Sequence, residues 1–140
     1  MEKKVKRMFI GITLLVIVIL AAIMIILREP GDIPSAETSA ERVAYLNSKG
    51  WIVNPESMEI REIIVPREFN EAYEEYSDLQ QMQGFDLKKY RGKPLTLYTY
   101  HVLNHPDRAD HVVAELLVES DRIVGGAIRC TEQGGFVEPL

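Results

Sequence analysis

The sequence predicts an α+β domain: two helices packed on an antiparallel sheet of four to five strands, preceded by one N-terminal transmembrane helix. Three observations predict it. Residues 8–27 (MFIGITLLVIVILAAIMIIL) form an unbroken uncharged run. Two later segments place apolar residues at helical spacing, and the C-terminal third holds β-rich runs, the middle one alternating with the period of two that marks a strand. The order α, β, β, α, β, β, β suggests that both helices cover one face of the sheet.

The N-terminal run has the length of a membrane span, since twenty helical residues rise about 30 Å, the hydrocarbon thickness of a bilayer. Fourteen of the twenty are Leu, Ile, Val or Phe, and at roughly −0.3 to −0.6 kcal/mol each insertion is favourable by roughly 4–8 kcal/mol. Met8, Phe9, Ile10, Leu14, Leu20 and Leu27 are the anchor's representative residues. Lys3, Lys4, Lys6 and Arg7 precede it, whereas Arg28 is followed by Glu29 and Asp32, which keeps the N-terminus in the cytoplasm and puts the rest outside. Residues 1–7 are then a cytoplasmic stub, too short for a signalling domain. A cleaved signal peptide fits less well, because the apolar core exceeds the usual length and the charged "LREPGD" follows where small residues are needed. No cysteine lies near the span, so lipid attachment is excluded.

The chain carries 16 basic and 21 acidic residues. The basic excess sits at the anchor, which leaves the outer portion strongly acidic and a poor partner for nucleic acid or anionic lipid. Cys130, the one cysteine, reads as a small buried hydrophobe.

Residues 28–37 (REPGDIPSAE) read as a Pro- and Gly-containing linker, and residues 38–140 as the outer domain. The first helix, in "TSAERVAYLNSKG", opens with Thr38 and Glu41 at capping-box spacing, buries Ala40, Val43, Ala44 and Leu46, and closes at Gly50. "WIVNP" is a short strand stopped by Pro55, and "SMEIREIIVP" a second strand ended by Pro66. The second helix runs from about Glu68 to Gln83, with Phe69, Ala72, Tyr73, Tyr76, Leu79 and Met82 as its apolar stripe and Gly84 as its stop. Asp86 caps a single turn. Three strands follow: "LTLYTYHVL", "VVAELLVE", whose face of Val112, Ala114, Leu116 and Val118 looks inward, and "IVGGAIRCT", entered by a tight turn at residues 120–122.

Three stretches, "NEAYEEYSDLQQMQGFDLKKYRGKPLTLYTY", "VVAELLVESDRIVGGAI" and the closing "GGF", carry a resemblance. Over roughly residues 40–136 the chain resembles a family of small extracytoplasmic Firmicute domains (domain of unknown function 4830), typically carried behind a single anchor or export signal. The resemblance implies fold and location and brings no activity or site residue. Histidine at 101, 105 and 111, and Gly-Gly-Ala where the family pattern has Gly-Gly-Asp, are departures from it.

Five side chains between residues 101 and 111 form the first constellation: His101, His105, His111, Asp107 and Asp110. A hairpin can bring His101 near His111, but spacings of three and five intervening residues fit no zinc signature, and the segment reads as a polar Asn-His-Pro-Asp turn. Glu68, Glu71, Glu74, Glu75 and Asp78 alternate with the apolar stripe and form a solvated face; clustered without basic partners, they leave room for a cationic one. Tyr98 and Tyr100, with Gly125 and Gly126, are the candidate lining of a ligand or partner groove, although strand tyrosines commonly support a helix and two strand glycines commonly admit one. No serine sits in a nucleophile elbow and no glycine-rich loop opens a helix. The expectation is therefore a non-catalytic, cofactor-free module on the outer face of the cell membrane that binds an envelope protein or peptide, with a metal-binding or enzymatic domain built on the histidine hairpin as the alternative.

Overall fold

A computed structural model of the chain describes Thr13, residues 15–20, residues 33–107 and residues 110–140. Within the anticipated span, Thr13 and residues 15–20 are helical and exposed. Of the anchor residues only Leu20 is among them; Met8, Phe9, Ile10, Leu14 and Leu27 lie outside the described residues. Among those residues no helix is long and apolar enough to cross a membrane.

The second unit, Ile33–Leu140, is α+β. Helix α1 (Ser39–Ser48) leads to strand β1 (Val53–Ile64), helix α2 (Glu71–Met82), a 3-10 turn at Leu87–Tyr90, and strands β2 (Pro94–Val102), β3 (Val112–Glu119), β4 (Arg122–Cys130) and β5 (Val137–Glu138). The five strands form one antiparallel sheet in the order β1-β2-β3-β4-β5, so every strand lies beside its neighbour in sequence.

The local signals for α1 hold. Thr38 Oγ1 accepts the Glu41 backbone N–H at 3.2 Å while Glu41 accepts that of Thr38 at 2.9 Å, the reciprocal capping box. That bond holds the Glu41 carboxyl below its ordinary pKa. At the other end Gly50 takes φ +93°. Helix α2 begins later than Glu68, because the Asn70 side chain accepts the Tyr73 N–H at 2.9 Å and is the cap. Ser120 and Asp121, both at positive φ, make the two-residue turn joining β3 to β4.

Three expectations about the strands are corrected. Pro55 does not stop a strand: Val53, Asn54 and Pro55 run on with "SMEIREII" in one twelve-residue β1, and Trp51 and Ile52 precede it. The pairing jumps from Asn54 opposite His101 to Glu59 opposite Thr99, so the proline sits in a bulge on the sheet's edge strand, where its missing N–H costs no ladder bond. Ser57 Oγ accepts the His101 N–H at 2.8 Å and donates to Asn54 O at 2.7 Å, bridging the gap. Second, residues 33–37 of the anticipated linker belong to the fold, since Pro34 O accepts the Ile123 N–H and Ala36 N donates to Asp121 O, occupying β4's free edge.

Third, the helices do not share a face. Alternation sends neighbouring residues to opposite sides of a sheet. Leu116, with Tyr98, Tyr100, Val102, Val112, Ala114 and Val118, packs in a core that contains Leu46 and Val43 of α1. Leu117, with Leu95, Leu97 and Val124, packs instead with Tyr73 and Tyr76 of α2. Strand β3 therefore buries both sides, and Leu117 as well as Leu116 is out of water.

Each helix also turns a different stripe to the sheet than its apolar residues suggest. In α1, Ala40 and Ala44 are exposed and Arg42 is buried beside Leu46. Its guanidinium donates to Tyr100 Oη at 2.9 Å and Ala36 O at 2.6 Å, and lies 3.8 Å from the centre of the Tyr98 ring, so hydrogen bonds and the ring face replace lost water. In α2, Ser77 and Gln80 are buried while Met82 is 80% exposed.

Candidate functional site

The α2 stripe is rotated because of Gln80. Its carboxamide accepts the Gly126 N–H at 2.8 Å and donates to Gly126 O at 2.9 Å, pairing with β4 as a neighbouring strand would. Gln83 Nε2 adds a third bond to the same carbonyl at 3.0 Å. A Cβ on Gly125 would stand 3.0 Å from Gln80 Oε1 and obstruct this contact, whereas one on Gly126 would stand 2.6 Å from Leu140 Cδ1 and 2.7 Å from Glu115 O. Gly125 therefore serves close approach of the helix and Gly126 that of Leu140, beside a bulge that places one extra residue, Val124, in β4.

Seating Gln80 and Ser77 on the sheet moves Ala72 and Leu79 off it. They flank a cavity of about 530 Å3 between α2 and the sheet, walled also by Ile63, Val65, Leu97, Leu117 and Val137, within the usual volume range of ligand sites. Its polar groups are few. Arg129 Nε donates to Glu115 Oε1 at 3.0 Å, a diagonal pair across β4 and β3, since Arg129 stands opposite Val113 and Glu115 opposite Ala127. The Tyr76 side chain also lines the cavity. Its hydroxyl has no hydrogen-bond partner among the described residues, and burial, reinforced by the Glu115 charge, pushes its pKa well above the ordinary phenol value. The phenol thus remains protonated, a donor and acceptor held in an apolar groove.

The outer rim is acidic. Glu71, Glu75 and Asp78 stand at spacings of four and three along α2, next to the groove stripe of Ala72, Tyr76 and Leu79. Glu74 on the neighbouring flank is neutralised by Lys88 at 2.9 Å and Arg91 at 3.6 Å. The three rim carboxylates have no ion-pair partner among the described residues.

The residues singled out from the sequence go elsewhere. Tyr98 and Tyr100 lie in the α1-side core against Arg42, and Gly125 and Gly126 are covered by Gln80 and Leu140; none of the four lines the cavity beside α2. The histidines make separate sets of contacts. His101 is exposed on β2. His105 is buried, stacked between Trp51 at 5.8 Å and Phe136 at 5.0 Å, with Nε2 3.0 Å from Glu138 Oε1 and Nδ1 accepting the Asp107 N–H. His111 faces Glu132 at 3.4 Å, and Asp107 and Asp110 are exposed. Among the described residues no group of three or more His, Cys, Asp or Glu could hold a metal ion. Cys130 is buried at the end of β4.

The groove was missed because it is made by partial coverage, which periodicity does not report. One signal pointed to it: α2 carries a wider apolar stripe than one sheet contact needs.

Fold and site together define a small α+β domain with a meander sheet clasped by one helix on each face, one face only partly covered. Residues 45–128 match the family described as Domain of unknown function (DUF4830), and the chain belongs to that family. No curated protein and no solved structure was found to match it.

Proposed function

We propose that this chain is a single-pass membrane protein whose outer domain is a non-catalytic binding module of the cell envelope, taking a protein or peptide segment in the groove between α2 and the sheet. The observation that carries the reading is the groove itself: apolar walls, an open flank, and a half-buried Tyr76 whose hydroxyl has no partner among the described residues. A ligand's main chain entering the groove would take the place of water at that hydroxyl. The anchor reading rests on residues 8–27 and the basic residues before them, and the outward orientation on the charge difference between its flanks. Glu115, the carboxylate deepest in the groove, is already tied to Arg129, which suits binding better than proton transfer.

Two measurements test this. In intact cells, a membrane-impermeant maleimide should label Ala72→Cys at the groove mouth; labelling only after lysis would overturn the orientation. Peptides selected from a random library on the full-length chain in nanodiscs should lose binding to Leu79→Arg, which fills the groove with a charge. Peptides that bind both forms equally would overturn the site.

A further inference from the structure

Resting on that reading, we propose that the groove's natural ligand is a cationic apolar segment of polypeptide, its apolar side chains seated against Leu79, Leu97 and Val137 and its Lys or Arg residues on the rim of Glu71, Glu75 and Asp78.

The rim and the groove supply independent observations. On α2, Glu71 and Glu75 are one turn apart and Asp78 follows three residues later, so like charges adjoin along a single stripe. No lysine or arginine occurs in α2. Lys88 and Arg91 of the adjoining turn go to Glu74 on the other side, leaving Glu75, which lines the groove, and its neighbours Glu71 and Asp78 without an ion-pair partner among the described residues. An arriving cation would relieve that repulsion. Behind this rim the floor adds no net charge, because Arg129 and Glu115 compensate each other at 3.0 Å; the sign presented to a ligand is set by the rim. The groove is the second observation: Ala72, Leu79, Leu97 and Val137 give it apolar walls that a ligand's side chains would cover, and Tyr76 lines it with a hydroxyl that has no partner among the described residues.

The same features disfavour other occupants. An apolar anion such as a fatty acid would carry its carboxylate past three like charges. A second copy docking α2 on α2 would set two such rims together.

The test uses the full-length chain in phosphatidylcholine nanodiscs, whose neutral lipid does not attract a cationic probe. Three labelled nonapeptides share a Leu-Phe-Leu centre and differ only in flanks of lysine, serine or glutamate, and fluorescence anisotropy reads their binding. The lysine peptide should bind about tenfold more tightly than the serine peptide and the glutamate peptide most weakly, with the lysine advantage shrinking as salt screens the rim. Neutralising the rim in the triple variant E71Q/E75Q/D78Q should bring the lysine peptide to the serine peptide's affinity. Tyr76→Phe should weaken the lysine and serine peptides alike without lowering the melting temperature, an effect that a merely structural hydroxyl would not produce. Equal binding of the lysine and serine peptides, or a lysine advantage that survives the triple variant, would overturn the cationic assignment and leave the groove standing. Absence of binding by all three peptides to the folded protein would overturn both.

Discussion

The two faces of the sheet are made from the same strands yet finished differently. On the α1 side, Leu46, Tyr100, Leu116, Ile123 and Ile128 are sealed from solvent, and the one charge admitted, on Arg42, has its donors taken up by Tyr100, the main chain at Ala36 and the Met58 sulfur. On the α2 side the helix covers Leu95, Leu117 and Val124 but stops short of Leu97, Glu115 and Arg129, leaving about 530 Å3 of space and a phenol without a partner. The α1 side is closed, with Trp51 Nε1 the one buried side-chain polar atom among the described residues that lacks a partner; the α2 side is left apolar and open. On the proposed reading, stability rests on one face and binding on the other.

The sharpest way to break that division is to truncate a leucine on each face. Leu116→Ala should cost about 3–5 kcal/mol of folding free energy, because the fully enclosed site cannot collapse on the vacancy. Leu97→Ala, beside space that is already open, should cost about 1–2 kcal/mol. Equal losses in denaturant titrations would contradict the contrast. Arg42→Ala should cost about 3 kcal/mol, since it strands the Tyr100 hydroxyl and the Ala36 carbonyl and removes a packed stem. Gln80→Ala should cost about 2 kcal/mol by unpairing the Gly126 N–H and taking one of two donors from its carbonyl. It would also loosen the edge that closes the groove, and hydrogen exchange at Gly126 should accelerate.

Smaller effects sharpen the picture. Tyr76→Phe should leave the stability of the free protein within about 0.5 kcal/mol of wild type, since its hydroxyl makes no bond there; a clear loss would mean that the hydroxyl has a partner within the fold. The Glu41 capping bond gives a pH signature. Its carboxyl is held below the ordinary value in the folded chain, so the unfolded chain binds protons first as pH falls. Its contribution is therefore complete above the ordinary carboxylate pKa and disappears as pH drops through the lowered folded value. Wild type should exceed Glu41→Gln in melting temperature near neutrality, and the two should converge in acid. A constant gap would show that charge plays no part.

Signals that act over a few residues were the most legible in the sequence. The Thr38–Glu41 capping box, the glycines after both helices, the turn at Ser120 and Asp121, and the meander of β2, β3 and β4 all depend on neighbours within one turn or one hairpin, and the structure has them. What depended on tertiary partners was not legible. Pro55 was tolerated because β1 lies at an edge. Met82 was left in solvent because Gln80 found Gly126, and Arg42 entered the core because two tyrosines awaited it. Nothing within four residues of Gln80 or Arg42 announces such distant partners. The candidate site followed the same rule: its acidic rim was visible as a stripe on one helix, whereas the groove arises from where that helix comes to rest. The glycine pair at 125 and 126 was conspicuous, and it marks the helix's footing rather than the ligand's.

The most direct test of the division between faces is hydrogen exchange of the full-length chain in nanodiscs, with and without the lysine-flanked peptide. The account predicts slowed exchange in α2 and at the end of β1 around Ile63 and Val65, with α1 unchanged. Protection at α1, or protection at neither face under conditions where the peptide is bound, would contradict it.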